Sequence, residues 1–114
     1  MNKTEGINKF KTYIMDAANK LQNNEFEEAF HILLESLKEN PNAPEPHNLL
    51  GIWYELRGNE DLARKHYRAA YVLDPTYKPA SENLERLCLY FENKNRGVNF
   101  GQKNEHQNME ESSV

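Results

Sequence analysis

Apolar residues recur at the spacing of one face of an α-helix in five successive segments of the chain. Polar or helix-breaking residues separate the segments, with breaks at 22–24, Pro41, 57–59 and Pro75, and the fifth segment starts at Pro79. No segment alternates between apolar and polar residues with the period of two that a half-buried β-strand requires. The pattern therefore predicts an all-α protein of about five antiparallel helices.

The composition changes at residue 95, where the apolar periodicity ends and the chain continues as NRGVNFGQKNEHQNMEESSV. Amide side chains and two glycines dominate this stretch, and Val98 and Phe100 are its apolar anchor points. Such a composition buries too little apolar surface to offset the conformational entropy that ordering removes. We therefore predict one folded domain at 1–94, followed by a disordered tail at 95–114.

The helical segments contain an internal repeat, in which two stretches align at a constant offset without a gap. The sequence NEFEEAFHILLESLKENPNA at 24–43 aligns with GNEDLARKHYRAAYVLDPTY at 58–77. The aligned pairs are Asn24 and Gly58, Ala29 and Ala63, Leu33 and Tyr67, Ser36 and Ala70, and Pro41 and Pro75. A period of about 34 residues that contains two helices is the spacing of tetratricopeptide repeats.

On this spacing, and on the residues within it, the chain resembles the tetratricopeptide-repeat (TPR) family, most clearly over 44–77. That repeat has residues typical of the family at Leu50, Gly51, Tyr54, Gly58, Ala63, Tyr67, Ala70 and Pro75. The small residues Gly51 and Ala63 allow two antiparallel helices to approach closely, and the larger side chains fill the space beside them.

The first repeat, at 10–43, resembles the family less fully. Fitting residues are Tyr13, Ala17, Phe26, Ala29, Leu33, Ser36 and Pro41. Asp16 and Lys20 stand where the family usually has leucine and an aromatic residue, although a terminal repeat tolerates polar residues because nothing stacks outside it. The segment 79–94 resembles the extra helix that closes such arrays. The resemblance implies a short right-handed solenoid of two TPR helix pairs and a capping helix.

Charge and composition narrow the function. The 114 residues carry a formal net charge of −4, with a pI near 5.6, and this acidity argues against a nucleic-acid partner. The apolar runs are far shorter than the roughly 20 residues that span a bilayer, and Met1–Phe10 lacks the apolar core of a signal peptide. The one cysteine, Cys88, cannot form an internal disulfide, and we expect it to be a small buried apolar side chain. These features predict a soluble cytoplasmic protein that contacts no membrane.

Catalytic and metal-binding patterns are scarce in the sequence. Glu28 and His31 have the Glu-x-x-His spacing of di-iron carboxylate bundles, but the chain has no second copy of this motif. The other histidines lie on different segments without metal-ligand spacing, and there is no glycine-rich phosphate loop. We therefore assign no catalytic residue, no metal site and no cofactor. An enzyme or metal protein built on Glu28 and His31 stays as a third hypothesis.

The TPR resemblance implies that the first helix of each pair lines a concave surface, which is the usual ligand groove of the family. Projecting the helical period onto these helices assigns eight partner-binding residues to that surface: Ile14, Ala18, Asn48, Ile52, Leu56, Arg86, Leu89 and Tyr90. We expect an exposed apolar strip there that contacts a helix or an extended peptide of a partner protein, made of Ile14, Ile52, Leu56, Leu89 and Tyr90. The alternatives are that the tail folds back over this strip or that self-association covers it.

One TPR subclass holds the C-terminal carboxylate of chaperone tails with a clamp of Lys, Asn and Arg side chains. The matching positions here are Ile14, Ala18, Leu49, Pro79 and Asn83, so the clamp is absent. We therefore predict a non-catalytic protein–protein interaction module that acts as an adaptor, an assembly factor or a complex subunit. The alternative is a structural homo-oligomer formed by stacking of exposed repeat ends, since two repeats are fewer than the roughly three that stability usually needs.

Overall fold

Five α-helices make up most of the chain in the computed structural model, which describes residues 3–89 and 97–102. The helices are α1 (Lys3–Gln22), α2 (Phe26–Glu39), α3 (Pro44–Leu56), α4 (Glu60–Leu73) and α5 (Lys78–Cys88). The described residues contain no β-strand, so the prediction of an all-α protein is confirmed. None of these helices combines the length and the apolar content that crossing a membrane requires.

The ends of the helices recur with the offset found in the sequence. Both the first and the last residue of α4 lie one repeat period after the corresponding residues of α2. The same offset separates the last residues of α1 and α3, and the first residues of α3 and α5. The turns repeat as well, because Asn40 and Asp74 each accept, on the side-chain Oδ1, a hydrogen bond from the backbone N–H two residues later. The offset of the sequence alignment is therefore also found in the helix ends and in these two turns.

The turns that follow α1 and α3 contain one left-handed residue each. Asn24 has a φ of +60° and Gly58 a φ of +86°, a conformation that glycine and asparagine adopt most easily. The N–H of the next residue then bonds to a carbonyl of the last helical turn, at 2.8 Å after α1 and at 2.9 Å after α3. These bonds end each helix and turn the chain back toward the helix that it has just left.

The helices pack most extensively within the pairs α1–α2 and α3–α4, and α5 packs on α4. Helix α3 also contacts α1 and α5, so these three helices are neighbours in the order α1, α3, α5. The core between them consists of small and aliphatic side chains and one fully buried tyrosine. Its buried members are Ile14, Ala17, Ala18, Leu21, Ala29, Leu33, Leu49, Leu50, Ile52, Ala63, Tyr67 and Leu87.

Gly51 marks a close approach between α3 and α4. A Cβ atom placed on Gly51 would overlap Cδ1 and Cε1 of the Tyr67 ring. The Tyr67 ring is itself fully buried and cannot move into solvent. Ala63, the other small residue predicted to lie at the helix crossing, is also fully buried. The two small side chains therefore leave the space that Tyr67 fills.

The carboxyl end of the fold differs from the sequence-based expectation. Helix α5 ends at Cys88 rather than at 94, because Leu89 leaves the helical conformation with φ −105° and ψ 54°. Cys88 is exposed, so the prediction that it is buried was wrong. Its neighbour Leu87 is buried in the core. Positions 90–94, which the predicted capping helix included, lie outside the described residues.

The predicted disordered tail is described in one part only. Residues 97–102 are non-helical, and Val98 and Phe100 are partly buried against the core. The structure therefore differs at 97–102 from the prediction of a disordered tail. There it agrees with the alternative, in which the tail folds back over the helices. Residues 95–96 and 103–114 lie outside the described part of the chain.

The Gly51→Val variant should have a lower free energy of unfolding, by about 1–3 kcal/mol, because the added side chain overlaps the Tyr67 ring. Urea denaturation followed by circular dichroism measures the change. Gly97→Val is the control, since no atom lies within 4 Å of a Cβ placed on Gly97. Equal denaturation midpoints for the two variants would show that the close approach does not limit the packing of α3 and α4.

Candidate functional site

A groove crosses α1, α3 and α5, and segment 97–102 of the same chain lies in it. The groove is defined by the residues that line it: Ile14 and Leu21 from α1, Asn48, Glu55 and Leu56 from α3, and Asn83 and Arg86 from α5. Val98 and Phe100 of the segment pack against the buried core that forms the floor. The groove therefore holds a stretch of polypeptide along its length.

The segment runs from the carboxyl ends of α1 and α3 toward their amino ends. Val98 shares a cleft with Leu21, near the end of α1, and Gly101 shares a cleft with Ile14, two helical turns earlier. Seven residues of helix rise about 10 Å, and three residues of extended chain cover about the same length. The segment is therefore extended along the groove rather than coiled at one end of it.

Two buried asparagines bind the backbone of Asn99. The Asn99 N–H donates to Oδ1 of Asn83 at 2.7 Å, and the Asn99 carbonyl accepts from Nδ2 of Asn83 at 2.8 Å. Nδ2 of Asn48 donates to the same carbonyl at 3.1 Å, and Oδ1 of Asn48 accepts from Nδ2 of Asn83 at 2.9 Å. Asn48 is 0% and Asn83 1% exposed, so these amides depend on such partners. The arrangement satisfies a peptide N–H and C=O together, as a neighbouring β-strand would.

The chain bends sharply at the end of the segment. The Oδ1 atom of Asn99 accepts a hydrogen bond from the Gly101 N–H at 2.9 Å, and its Nδ2 donates to Glu82. Gly101 has a φ of +81°, and a Cβ on it would overlap the hydroxyl oxygen of Tyr77. Burial, and then the nearby charge of Glu45, raises the pKa of the Tyr77 hydroxyl further above neutral pH. Only glycine fits this position without strain.

A buried ion pair lies at the other end of the groove. Arg86 contacts both carboxylate oxygens of Glu55 at 2.6 Å, and the side chains of the pair are 8% and 14% exposed. The Tyr67 hydroxyl donates to the same carboxylate at 2.7 Å. Burial, followed by the Glu55 charge, raises the pKa of Tyr67 far above its usual range. Glu55 therefore joins α3, α4 and α5 through one carboxylate.

The structure brings several of the eight predicted partner-binding residues together. Ile14, Ala18, Asn48, Ile52 and Arg86 are all buried, with Ile14 6% and Ile52 0% exposed. The expectation of an exposed strip therefore does not apply to Ile14 and Ile52, which belong to the core against which segment 97–102 packs.

The other three predicted residues lie at the margin or outside the described chain. Leu56 and Leu89 are each 43% exposed, and Leu56 lines the cleft beside Val98 and Phe100. Leu89 is the first residue after the end of α5. Tyr90 lies outside the described residues.

Sequence reasoning found one of the residues that hold the segment, Asn48, and missed the roles of Asn83 and Asn99. From the sequence, Asn83 is only a position that does not match the carboxylate clamp. Asn99 belongs to the tail that the sequence predicts to be disordered. One signal was present: Val98 and Phe100 are two residues apart, which is the spacing of one face of an extended chain. Gly97 and Gly101 flank them. That short pattern differs from the amide-rich sequence around it.

A pair of histidines forms a separate cluster between α3 and α4. The Nδ1 atoms of His47 and His66 are 3.3 Å apart, and Tyr54 stacks on His66 with ring centroids 5.4 Å apart. Two such nitrogens form a hydrogen bond only when one carries a proton and the other does not. Burial lowers the pKa of both imidazoles below 6.5, and for His66 the charge of His47 adds to this effect. Within the described residues, no group of three or more His, Cys, Asp or Glu side chains could hold a metal ion.

The Arg86→Met variant should lose about 3–5 kcal/mol of unfolding free energy, because it leaves the Glu55 carboxylate buried without its cation. Thermal and urea denaturation measure the loss. Adding Glu55→Gln should restore part of the stability, since a neutral amide is less costly to bury than a lone charge. Full stability of the single variant would show that the ion pair is not needed.

Acidification should destabilise the fold partly through the histidine pair. Because the folded-state pKa of both residues lies below 6.5, the unfolded chain binds more protons, and the free energy of unfolding decreases as the pH falls below about 6.5. Urea denaturation between pH 7.5 and pH 5 measures this slope. The His47→Gln, His66→Gln double variant should show a shallower decrease than the parent. Parallel profiles would contradict the assignment.

Comparisons of the chain with models of known protein families, with curated proteins and with solved structures gave no match. The geometry of the groove and the chemistry of the residues that line it are therefore the basis for a proposal about function.

Proposed function

We propose that this protein is a non-catalytic protein–protein interaction module that binds an extended peptide of a partner through the groove. The observation that carries the proposal is that the groove already holds an extended stretch of polypeptide, segment 97–102. Asn83 and Asn48 bind the backbone of that stretch at Asn99. A groove that satisfies backbone groups accepts peptides of many sequences, and its apolar floor selects among them.

The fold that fits this function is a short right-handed TPR-type solenoid. Two helix pairs, α1–α2 and α3–α4, would be the repeats, and α5 would be the capping helix. The recurrence of helix ends and turns at the repeat period supports this assignment. So does the close approach of Gly51 to Tyr67. In this arrangement the first helices of successive pairs line one face, which is where the groove lies.

The chemistry of the chain supports a binding role in the cytoplasm. The acidic net charge of −4 disfavours nucleic acid, and a single exposed cysteine suits a reducing compartment. Three of the charged groups at the groove are engaged structurally, with Arg86 bonded to Glu55 and Glu82 bonded to Asn99. The groove therefore offers backbone and apolar contacts, which suit an adaptor, an assembly factor or a complex subunit.

Site-specific photo-cross-linking in native cells tests the proposal. The full chain carries a photoreactive phenylalanine at position 56, where Leu56 is 43% exposed at the margin of the groove. A second version carries the probe at position 68, where Arg68 is exposed on α4. We expect proteins to be cross-linked from position 56 and not from position 68. Mass spectrometry identifies them.

A variant of the groove distinguishes partners that bind in the groove from proteins that are merely close to position 56. Asn83→Ala removes both hydrogen bonds to the Asn99 backbone, and it should reduce the cross-links from position 56 at least several-fold. Asn19→Ala replaces an exposed asparagine of α1 and serves as the matched control. Cross-links that are equal from both probe positions, or that survive Asn83→Ala unchanged, would contradict binding through the groove.

A further inference from the structure

We propose that segment 97–102 is a tethered competitor of the partner, and that the partner peptide carries the same pattern as the segment. The pattern is an apolar residue, a residue with a free backbone N–H, an aromatic residue and then glycine. This inference rests on the function proposed above and names the partner's chemistry. The groove constrains its present occupant at three positions.

The first constraint acts on the backbone at the second position of the pattern. Asn83 binds both the N–H and the C=O of Asn99, at 2.7 Å and 2.8 Å. A proline there would remove the donor and leave the buried Oδ1 of Asn83 without its partner. A buried acceptor that loses its hydrogen bond destabilises the complex strongly. The partner must therefore offer an unblocked peptide group at this position.

The second constraint acts on the side chains at the first and third positions. Val98 and Phe100 both pack against the core cluster, on either side of the bonded backbone of Asn99. A charged side chain at either position would lose hydration where the present residues contact the apolar core cluster. The partner therefore needs apolar side chains two residues apart, as extended chain presents them on one face.

The third constraint acts on the fourth position. Gly101 has a φ of +81°, and a Cβ on it would overlap the Tyr77 hydroxyl oxygen. Both the backbone conformation and the space therefore select glycine. Outside the pattern, Glu45 lines the cleft beside Gly101 and Gln102, and Glu82 bonds to Asn99. Lys11 lines the same cleft as Glu45, so the pattern carries no charge requirement.

Tethering makes the chain's own segment a strong competitor. Tethering within one chain gives a competing segment an effective concentration on the order of 1 mM. For a free peptide with an intrinsic Kd of about 0.1 mM, such a competitor weakens binding about tenfold. The partner therefore binds well only when its own contacts exceed those of the segment, or when the segment has left the groove.

Fluorescence anisotropy with a labelled synthetic peptide, RGVNFGQK, tests the inference on the full chain. The released variant is Val98→Asp, Gly101→Val, which disables the tethered segment and leaves every groove residue in place. We expect this variant to bind the peptide about tenfold more tightly than the parent chain. Phe100→Ala is a second, milder released variant, should the first disturb folding as judged by circular dichroism. Adding Asn83→Ala to the released variant should abolish binding.

Altered probes test the pattern itself. The peptides RGVPFGQK and RGVNFVQK, which break the backbone contact and the glycine position, should each bind the released variant at least tenfold more weakly than RGVNFGQK. Equal affinity of the parent chain and the released variants for RGVNFGQK would overturn the competition. Equal affinity for the three peptides would overturn the pattern.

Cross-linking from position 56 in the released variant separates this inference from the proposed function. We expect more partner to be captured by the released variant than by the parent. Equal capture by both would uphold the function and overturn the competition. Absence of any captured partner from both would overturn the function, whatever the affinity of the synthetic peptide.

Discussion

The arrangement of the groove depends on the carboxylate of Glu55. It accepts hydrogen bonds from Tyr67 on α4 and from Arg86 on α5, both within 2.7 Å, and so fixes the two helices relative to α3. A charge with so little exposure is tolerated only when such partners surround it. Small residues allow the geometry, because Tyr67 reaches Glu55 only by lying across the space beside Gly51.

The same carboxylate sets the position of the two asparagines that bind the segment. Asn83 precedes Arg86 by one helical turn on α5, and Asn48 precedes Glu55 by two turns on α3, so each pair shares one helix face. When Arg86 bonds to Glu55, Asn83 therefore faces Asn48, and their side chains meet at 2.9 Å. Two amides that are almost completely buried need further partners beyond each other. The backbone of Asn99 supplies them, so occupation of the groove follows from the packing of α3 against α5.

The sequence predicted the helices well and the occupant of the groove poorly, for physical reasons. Helical periodicity and local breakers act within a few residues, so Pro41, Gly58 and Pro75 marked the turns, and the repeat located the close approach at Gly51. The exposure of Ile14 depends instead on a segment more than eighty positions away in the chain, which no local pattern specifies. The composition taken over the whole of 95–114 is polar, and it therefore hid the short stretch that contains two apolar anchors. Cys88 and Leu87 are neighbours about 100° apart around the helix, and of the two only Leu87 is buried.

The central claim is that the two asparagines hold the backbone of segment 97–102, and amide hydrogen exchange at Asn99 tests it most directly. The Asn99 N–H donates to the buried Oδ1 of Asn83, so it should exchange at least about tenfold more slowly in the full chain than in the free peptide RGVNFGQK. The protection should disappear in the Asn83→Ala variant, while amides in the middle of α4 stay protected. An Asn99 amide that exchanges at the rate of the free peptide would contradict the account.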